Sequence, residues 1–187
     1  MLLVIDMQKG FLQKGSAGEI PMGRKLIPKL KDLIQFCRKK GIAIAYARQS
    51  HEYLIGGIYS KLFPDHFDRN GKPKMSRKSD LFGIVNELDV RPNDIILDKD
   101  SFSPFYSTNI DVILRDRGIN TIIITGQATN VCVESTARDA FTRNYLSIVV
   151  SDCTATLTKK MHEASLESIS LAFGYVAPSD LLKDLIK

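Results

Sequence analysis

The 187-residue sequence has no tryptophan, only three cysteines and no long apolar run. An odd number of cysteines without a CxxC pair argues against a disulfide framework and against a structural zinc site, so we expect a reducing, cytoplasmic location. No apolar run approaches the roughly 20 residues that span a bilayer, so we expect no membrane partner. The first residues, MLLVIDMQ, have no basic leader and reach Asp6 too soon for a signal peptide, which predicts a first strand.

Several sequence motifs of nucleotide-binding and hydrolytic proteins are also missing. The chain has neither GxGxxG nor GxxxxGK[ST], which argues against a dinucleotide-binding Rossmann domain and against a P-loop. It also has no GxSxG nucleophile elbow and no HExxH zinc motif. The net charge is +5, but lysine and arginine are scattered at helical spacing or in loops. A solvated surface therefore explains them better than a nucleic-acid site.

Short apolar runs alternate with amphipathic helical patterns along the chain. The run Ile122-Ile123-Ile124 is continuous rather than alternating, which is typical of a strand buried on both faces of a parallel sheet. The apolar runs predict strands at 2–5, 42–47, 94–97, 121–125, 146–150 and 175–176. The helical patterns fall at 25–40, 79–88, 108–117, 130–143, 159–171 and 179–186. We predict one α/β domain over residues 1–187, a three-layer αβα sandwich.

Residues 51–78 depart from this rhythm, because they form a long segment rich in glycine, proline, lysine and aromatic residues. A connection of that length in a compact domain is usually a lid or binding loop, and a subunit contact is the alternative. His51 and His66 lie in it with Asp65 and are the candidates for a metal site, although their spacing matches no strong signature.

Three ionisable residues follow predicted strands, where ligands bind in open α/β sheets. Asp6 follows the first strand, Lys99 the third, and Cys132 lies after the fourth in the first turn of a helix. A helix N-terminus and an ammonium both favour an ionised sulfur, and a carboxylate can accept the thiol proton. The alternatives are a turn residue for Asp6, a solvated lysine and a small packing cysteine. Cys37 and Cys153 are predicted to pack in the core.

Four sequence blocks occur in an order that points to one family. They are VIDMQ at 4–8 with Phe11, EL at 87–88 through PND at 92–94 to Lys99, SPF at 103–105 before Thr108, and GQATNVCVESTARDA at 126–140. In these blocks the chain resembles the isochorismatase-like cysteine hydrolases, which include nicotinamidases, N-carbamoylsarcosine amidases and isochorismatases. The resemblance covers nearly the whole chain and is weakest over 51–78. It implies a six-stranded parallel sheet in the order 3-2-1-4-5-6, Rossmann-like but without a dinucleotide site.

The resemblance implies Asp6 as general base, Lys99 as its ionic partner and Cys132 as nucleophile. It also implies a cis peptide bond that does not involve proline, expected here between Ala128 and Thr129. Backbone N–H groups in that turn, with that of Cys132, would form an oxyanion hole. Family members usually form dimers or tetramers, so we expect a homo-oligomer.

Two departures from the family patterns narrow the range of substrates that we expect. Nicotinamidases typically carry an Asp-x-His metal-binding motif after the second strand. This chain has Gln49-Ser50-His51 there and lacks the acidic ligand. We therefore expect no cofactor, with a bound metal ion as the alternative. Isochorismatases proper often lack the cysteine. We therefore predict hydrolysis of a small linear amide or N-carbamoyl compound through a thioester, as in N-carbamoylsarcosine amidase. A nicotinamidase using His51, an isochorismatase-type hydrolase and a non-catalytic binding module are the alternatives.

Four residues are the candidates for contacts with the small-molecule substrate. Arg48, at the end of the second strand, is a candidate to bind a substrate carboxylate, with a surface salt bridge as the alternative. Phe11, Phe105 and Tyr106 are candidates to wall the pocket, or else to pack in the core.

Overall fold

Residues 1–52 and 57–186 are described by the computed structural model. The strands are β1 (Leu2–Ile5), β2 (Ile44–Gln49), β3 (Ile95–Lys99), β4 (Thr121–Gln127), β5 (Leu146–Ala155) and β6 (Tyr175–Ala177). They form one sheet in the order β3-β2-β1-β4-β5-β6, and every neighbouring pair is parallel. The predicted fold class and strand order are confirmed.

Helices cover both faces of the sheet and make the outer two layers. They are α1 (Lys9–Leu12), α2 (Ile27–Lys39), α3 (Ile58–Leu62), α4 (Ile110–Asp116), α5 (Glu134–Thr142), α6 (Lys159–Ala172) and α7 (Ser179–Leu185). Leu2 and Val4 of β1 pack in the cluster that includes residues of α2 and α7, whereas Leu3 and Ile5 pack in the cluster that includes residues of α4, α5 and α6. Successive side chains of a strand point to opposite faces, so a strand covered on both faces must be apolar throughout.

The predicted helix at 79–88 is wrong. Asp80–Phe82 and Asn86–Leu88 form two short 3₁₀ turns, separated by the extended residues Gly83 and Val85. The segment binds the chain just after β1, because the Gln8 side chain donates to the Phe82 carbonyl and Val85 N–H donates to the Met7 carbonyl. These long-range hydrogen bonds replace those that a helix would make within itself.

The junction of β1 and β4 fixes the position of Asp6. Gly126 pairs with Ile5 and has φ +103°, and a Cβ there would lie 2.0 Å from the Ile5 carbonyl oxygen. Glycine therefore lets β4 approach β1 where β1 ends. Asp6 itself has φ 52°, in the left-handed region that Asp adopts more readily than most residues. The chain turns sharply here, and the carboxylate follows the last residue of β1.

Candidate active site

Four side chains meet at the carboxyl edge of the sheet. Asp6 follows β1, Gln49 ends β2, Lys99 ends β3, and Cys132 lies in the turn that follows β4. All four are buried, with Lys99 fully enclosed. Parallel strands end at the same edge, so residues distant in sequence converge there. The structure thus brings together Asp6, Lys99 and Cys132, and adds Gln49 to them.

The Lys99 ammonium lies at the centre of this cluster. Its Nζ donates to Asp6 Oδ2 at 2.8 Å, to Gln49 Oε1 at 2.9 Å and to the Ser101 carbonyl at 3.1 Å. It lies 3.6 Å from the Sγ of Cys132, which in turn donates to Gln49 Oε1 at 3.3 Å. A buried ammonium needs such partners because the lost hydration must be replaced. Lys99 is therefore held by three acceptors and faces the sulfur.

The protonation states of the cluster follow from its burial. Burial raises the pKa of the Asp6 carboxyl above its ordinary value, and the Lys99 ammonium opposes that rise. Burial, followed by the negative charge of Asp6, raises the pKa of the Cys132 thiol, again against Lys99. This differs from the expectation that a helix dipole and Lys99 keep the sulfur ionised. Burial thus favours the protonated thiol of Cys132 over its thiolate and makes the Asp6 carboxylate accept a proton more readily than usual.

The turn that carries Cys132 is wider than an α-helical turn. Thr129–Val133 forms a π-helical turn that leads directly into α5, and the hydroxyl of Thr136 donates to the Cys132 carbonyl at 2.6 Å. The Gln127 side chain donates to the Asp6 carbonyl at 3.0 Å, which ties the end of β4 to the end of β1. Single π-turns inside helices are frequent at functional sites. Here the turn places the sulfur beside Asp6 and Lys99.

A cavity of about 390 Å³ opens above the sulfur. Cys132 and Asp6 lie in its lining. Its walls are largely apolar, with aromatic side chains from three separate segments: Phe11, Tyr59, Phe63 and Phe102. The volume is within the range of small-ligand pockets, and apolar walls with a few convergent polar groups are typical of them.

One wall of the cavity is built on a tyrosine between two histidines. The Tyr59 hydroxyl lies 3.0 Å from His51 Nε2 and 2.7 Å from His66 Nδ1, and the two imidazole rings are stacked with centroids 4.8 Å apart. His51 is buried, and its Nδ1 has no hydrogen-bond partner among residues 1–52 and 57–186. Burial, and next the neighbouring His66, lowers the pKa of His51 to about 3. Both rings are thus neutral spacers that hold Tyr59 in the wall.

Burial of His51 as a neutral ring predicts a loss of stability in acid. Between about pH 6.5 and about pH 3 the unfolded chain binds a proton that the folded chain does not, so the free energy of unfolding falls as pH falls by up to about 1.4 kcal/mol per unit. We expect His51→Gln, which cannot titrate, to flatten this slope. Urea unfolding of both proteins between about pH 5 and pH 7 measures it. Equal slopes would contradict the assignment.

A family model for the isochorismatase domain matches residues 1–180. The chain belongs to the isochorismatase family. The predicted resemblance is therefore confirmed, and the cluster of Asp6, Lys99 and Cys132 is part of an isochorismatase-family enzyme.

Three similar proteins illustrate this isochorismatase family. A ureidoacrylate amidohydrolase RutB of Methylorubrum extorquens is 32% identical over 95% of this chain and 78% of its own. The crystal structure of N-carbamoylsarcosine amidase from Thermoplasma acidophilum has a TM-score of 0.81 at 28% identity, over 96% of this chain and 95% of that one. A pyrazinamidase of Pyrococcus horikoshii in complex with zinc has a TM-score of 0.78 at 26% identity, over 95% and 97%.

Of the predicted substrate-contacting residues of this isochorismatase-family chain, Phe11 lines the cavity and three others do not. Arg48 makes a two-point ion pair with Asp98, at 2.7 and 2.9 Å, and lies over the Phe82 ring. Phe105 is buried against Tyr145, and the side chain of Tyr106 is 66% exposed. The contacts of Arg48 and Phe105 therefore favour the alternatives given for them, a salt bridge and core packing, and Tyr106 is not in the lining of this cavity. For Arg48 the reason is strand alternation, which points it to the opposite face from Gln49.

The cis peptide bond lies one residue earlier than predicted. It joins Gln127 to Ala128, so the prediction of a cis bond between Ala128 and Thr129 is wrong. Gln127 is the last residue of β4 and still pairs with Ala155, whereas Thr129 already begins the π-helical turn. The cis bond therefore stands where the chain leaves the sheet. Ala128 and Cys132 line the cavity, and Thr129 lies behind them with its hydroxyl 2.9 Å from His162 Nδ1.

The residues near His51 do not make the metal site that a zinc-bound isochorismatase-family relative would suggest. Among residues 1–52 and 57–186, no group of three His, Cys, Asp or Glu side chains could hold a metal ion. Gln49 takes the place of an acidic ligand and is committed to Lys99 and Cys132. The Tyr59 hydroxyl already lies between His51 and His66. The donor set of the described residues does not fit a zinc ion; His66 lines the cavity, and His51 and His66 both contact the Tyr59 hydroxyl.

Gln49 is the residue of this isochorismatase-family site that sequence reasoning missed. Strand alternation was the signal that could have found it, because Ala45 and Ala47 of β2 pack on the same face of the sheet as Cys132. Gln49 continues that face to the end of the strand, as Lys99 does in β3 after Leu97. Its side-chain oxygen Oε1 accepts hydrogen bonds from both the Lys99 ammonium and the Cys132 thiol, so it aligns the two groups.

Replacing Gln49 by leucine is expected to lower kcat for amide hydrolysis about 10–100-fold, because a buried ammonium and thiol lose a shared acceptor. Arg48→Gln is the matched control, since this neighbour in β2 points to the other face and makes a half-exposed ion pair. It should change kcat by no more than about threefold. Steady-state ammonia release checks both variants. Equal effects at the two positions would contradict the role given to Gln49.

Proposed function

We propose that this chain is a cysteine-dependent amidohydrolase that acts on a small linear amide or N-carbamoyl compound through a thioester. The observation that carries the proposal is the contact of Lys99 with both Asp6 and Cys132 beneath a cavity of ligand size. Relatives named ureidoacrylate amidohydrolase and N-carbamoylsarcosine amidase support C–N hydrolysis. This arrangement supplies a nucleophile, a base and a cation that orients the base.

In the first half of the proposed reaction, Asp6 accepts the thiol proton as the Cys132 sulfur attacks the carbonyl carbon. A raised carboxyl pKa suits Asp6 for this, since a stronger base accepts the proton more completely. Backbone N–H groups of the turn that holds Ala128, Thr129 and Cys132 bind the oxyanion. Asp6 then passes the proton to the nitrogen, the C–N bond breaks, and ammonia or an amine leaves a thioester on Cys132.

In the second half, water hydrolyses the thioester. The Asp6 carboxylate takes a proton from the water as its oxygen attacks the thioester carbon, the C–S bond breaks, and the proton returns to the sulfur. Lys99 remains charged throughout and keeps Asp6 oriented. The acid product leaves, and the thiol and carboxylate are restored.

The test is ammonia release from a panel of linear amides, N-carbamoyl compounds and nicotinamide, with and without a chelator. The proposal predicts release from several linear members that the chelator does not change, with a covalent adduct on Cys132 detectable by mass spectrometry after rapid acid quenching. Absence of release from every member would overturn the proposed function. Release from nicotinamide alone that the chelator abolishes would assign the metal-dependent alternative.

A nicotinamidase is the second candidate, favoured by the aromatic walls of the cavity. Phe11, Phe63 and Phe102 offer ring faces against which a pyridine ring can stack, at centroid separations typical of aromatic pairs. The missing acidic ligand before His51 makes this candidate a metal-independent one. Preference for nicotinamide over linear amides by kcat/KM, unchanged by chelator, would select it.

We keep three organisational proposals with this function. Residues 1–187 form one catalytic domain, in which residues 51–78 act as a lid or a subunit contact. Residues 53–56 of that segment lie outside the described ranges, and Tyr59, Phe63 and His66 of the same segment line the cavity.

We propose that the protein forms a homo-oligomer, which analytical ultracentrifugation tests. The described residues include no helix that is both long and apolar enough to span a membrane. Free Cys37, Cys132 and Cys153 support our proposal of a cytoplasmic location.

A further inference from the structure

The lining of the cavity above Cys132 carries a charge pattern that bears on the substrate. Among the described residues that form it, no side chain is lysine or arginine. The charged groups of the described lining are the carboxylates of Asp6 and Glu19. A ligand that enters this space therefore meets mainly apolar surface and two carboxylates, and no lysine or arginine side chain among the described lining residues.

Two cations beside the lining are already paired. Lys99 donates to Asp6 and is fully enclosed. Arg24 binds the lining carboxylate of Glu19 at 2.7 Å and the Leu12 carbonyl at 2.6 Å. Burial lowers the pKa of His66 and of His51, so the wall histidines stay neutral at physiological pH. A carboxylate placed here would lose its hydration and gain no lysine or arginine partner from the described lining.

The apolar part of the lining is suited to a ring or a short alkyl chain. Phe11 and Phe102 face the space with Tyr59 and Phe63, and Ile20 and Val131 contribute further apolar surface. These side chains come from four segments of the chain, so the surface surrounds a ligand rather than offering one flat face. Apolar area is the main source of binding free energy in such a cavity.

We infer that the substrate is an uncharged amide or monosubstituted urea whose non-reacting part is aromatic or alkyl, and that carboxylate-bearing analogues are rejected. This rests on the proposed amide hydrolysis and narrows it. It also separates this chain from the relative named for ureidoacrylate, which is a carboxylate. The cluster of Asp6, Lys99 and Cys132 would then perform amide hydrolysis on an uncharged ligand.

Matched pairs of amides test the inference. Hexanamide and the monoamide of adipic acid differ by a terminal carboxylate, as do benzamide and 4-carboxybenzamide. We expect kcat/KM for ammonia release to be at least about 100-fold higher for the neutral member of each pair, because the anion is desolvated without a partner. Equal or higher values for the carboxylates would overturn the inference and leave the proposed hydrolysis intact.

A binding measurement tests the inference about substrate charge separately from the proposed amide hydrolysis. In the Cys132→Ala protein, which cannot turn the ligand over, calorimetry should show the neutral member of each pair binding at least about 10-fold more tightly. This readout needs no catalysis, so it decides the inference even if no amide is hydrolysed. Tighter binding of either carboxylate would overturn it.

A charge introduced into the lining provides the second variant. Met161 lines the cavity and is 42% exposed, so Met161→Lys can keep its ammonium partly hydrated. We expect it to raise the ratio of kcat/KM for the carboxylate member to kcat/KM for the neutral member of each pair about 10-fold, whatever it does to either value alone. Met161→Gln, of similar length and uncharged, is the matched control and should leave that ratio unchanged. An equal gain in both variants would contradict the electrostatic reason for the preference.

Discussion

Replacing Cys132 by alanine is expected to lower the rate of amide hydrolysis by about 10⁴-fold or more, because the thioester can no longer form. The sulfur lies at the floor of the cavity, where Lys99 and Gln49 contact it. Residual activity would come only from binding and from backbone N–H groups, which cannot replace a nucleophile. The measurement is initial-rate ammonia release with an amide that the unmodified protein hydrolyses.

Cys153→Ala is the matched control for that prediction. Cys153 is as fully buried as the nucleophile but packs in the cluster on the opposite face of the sheet. The free energy of unfolding of the Cys153→Ala protein should fall by about 1 kcal/mol, because the substitution leaves a small cavity, and its activity should stay within about twofold of the unmodified protein. If both cysteine variants lost activity equally, or if Cys132→Ala kept more than about a tenth of the rate, the assignment of Cys132 would be wrong.

Removal of the Lys99 charge is expected to be the most destabilising single change, lowering the free energy of unfolding by about 3–5 kcal/mol in Lys99→Met. The reason is that the Asp6 carboxylate would remain buried without a cation, and its Oδ1 already has no hydrogen-bond partner in the part of the chain that the structure describes. Urea unfolding at about pH 7 measures the change. Activity should also fall by about 10³-fold or more, because the base loses its orienting partner.

The double variant Asp6→Asn/Lys99→Met distinguishes loss of a charge partner from loss of packing. With both charges removed, no uncompensated ion is left, so most of the stability lost in Lys99→Met should return while activity stays absent. Lys183→Met provides a comparison nearer the surface, since Lys183 is partly exposed and pairs with the largely exposed Asp32, and it should cost about 1 kcal/mol or less. A Lys99→Met protein as stable as Lys183→Met would contradict the account of the buried pair.

The elements of the fold that could be predicted are those with a local pattern. The continuous apolar run in β4 and the helical stripe of α2 each depend on residues within a few positions of one another. The segment 79–88 shows where this fails, because Gln8 and Met7 bind its backbone and override its helical pattern. The predicted ends of two strands also differ from the observed ones for this reason. Pairing between neighbouring strands extends β4 to Gln127 and β5 to Ala155, beyond the predicted ends at 125 and 150.

The candidate site could be predicted in part. Asp6, Lys99 and Cys132 follow strands in the sequence, and a parallel sheet places such residues at one edge. Gln49 was missed and Arg48 was chosen instead, although the two are adjacent. The alternation of side chains along β2 separates them, but deciding which face holds the site requires knowing that Cys132 packs with Ala45 and Ala47.

The sequence by itself determined the alternation of strands and helices, and with it the edge at which a carboxylate, an ammonium and a thiol meet. Only the tertiary structure decided which side chains surround the reacting sulfur and which charges they carry. The physical reason is that secondary structure follows from periodicity over a few residues, whereas Phe11, Tyr59 and Phe102 become neighbours of Cys132 through long-range packing. The same packing buries Cys132 beside Asp6, and both effects raise the pKa of its thiol.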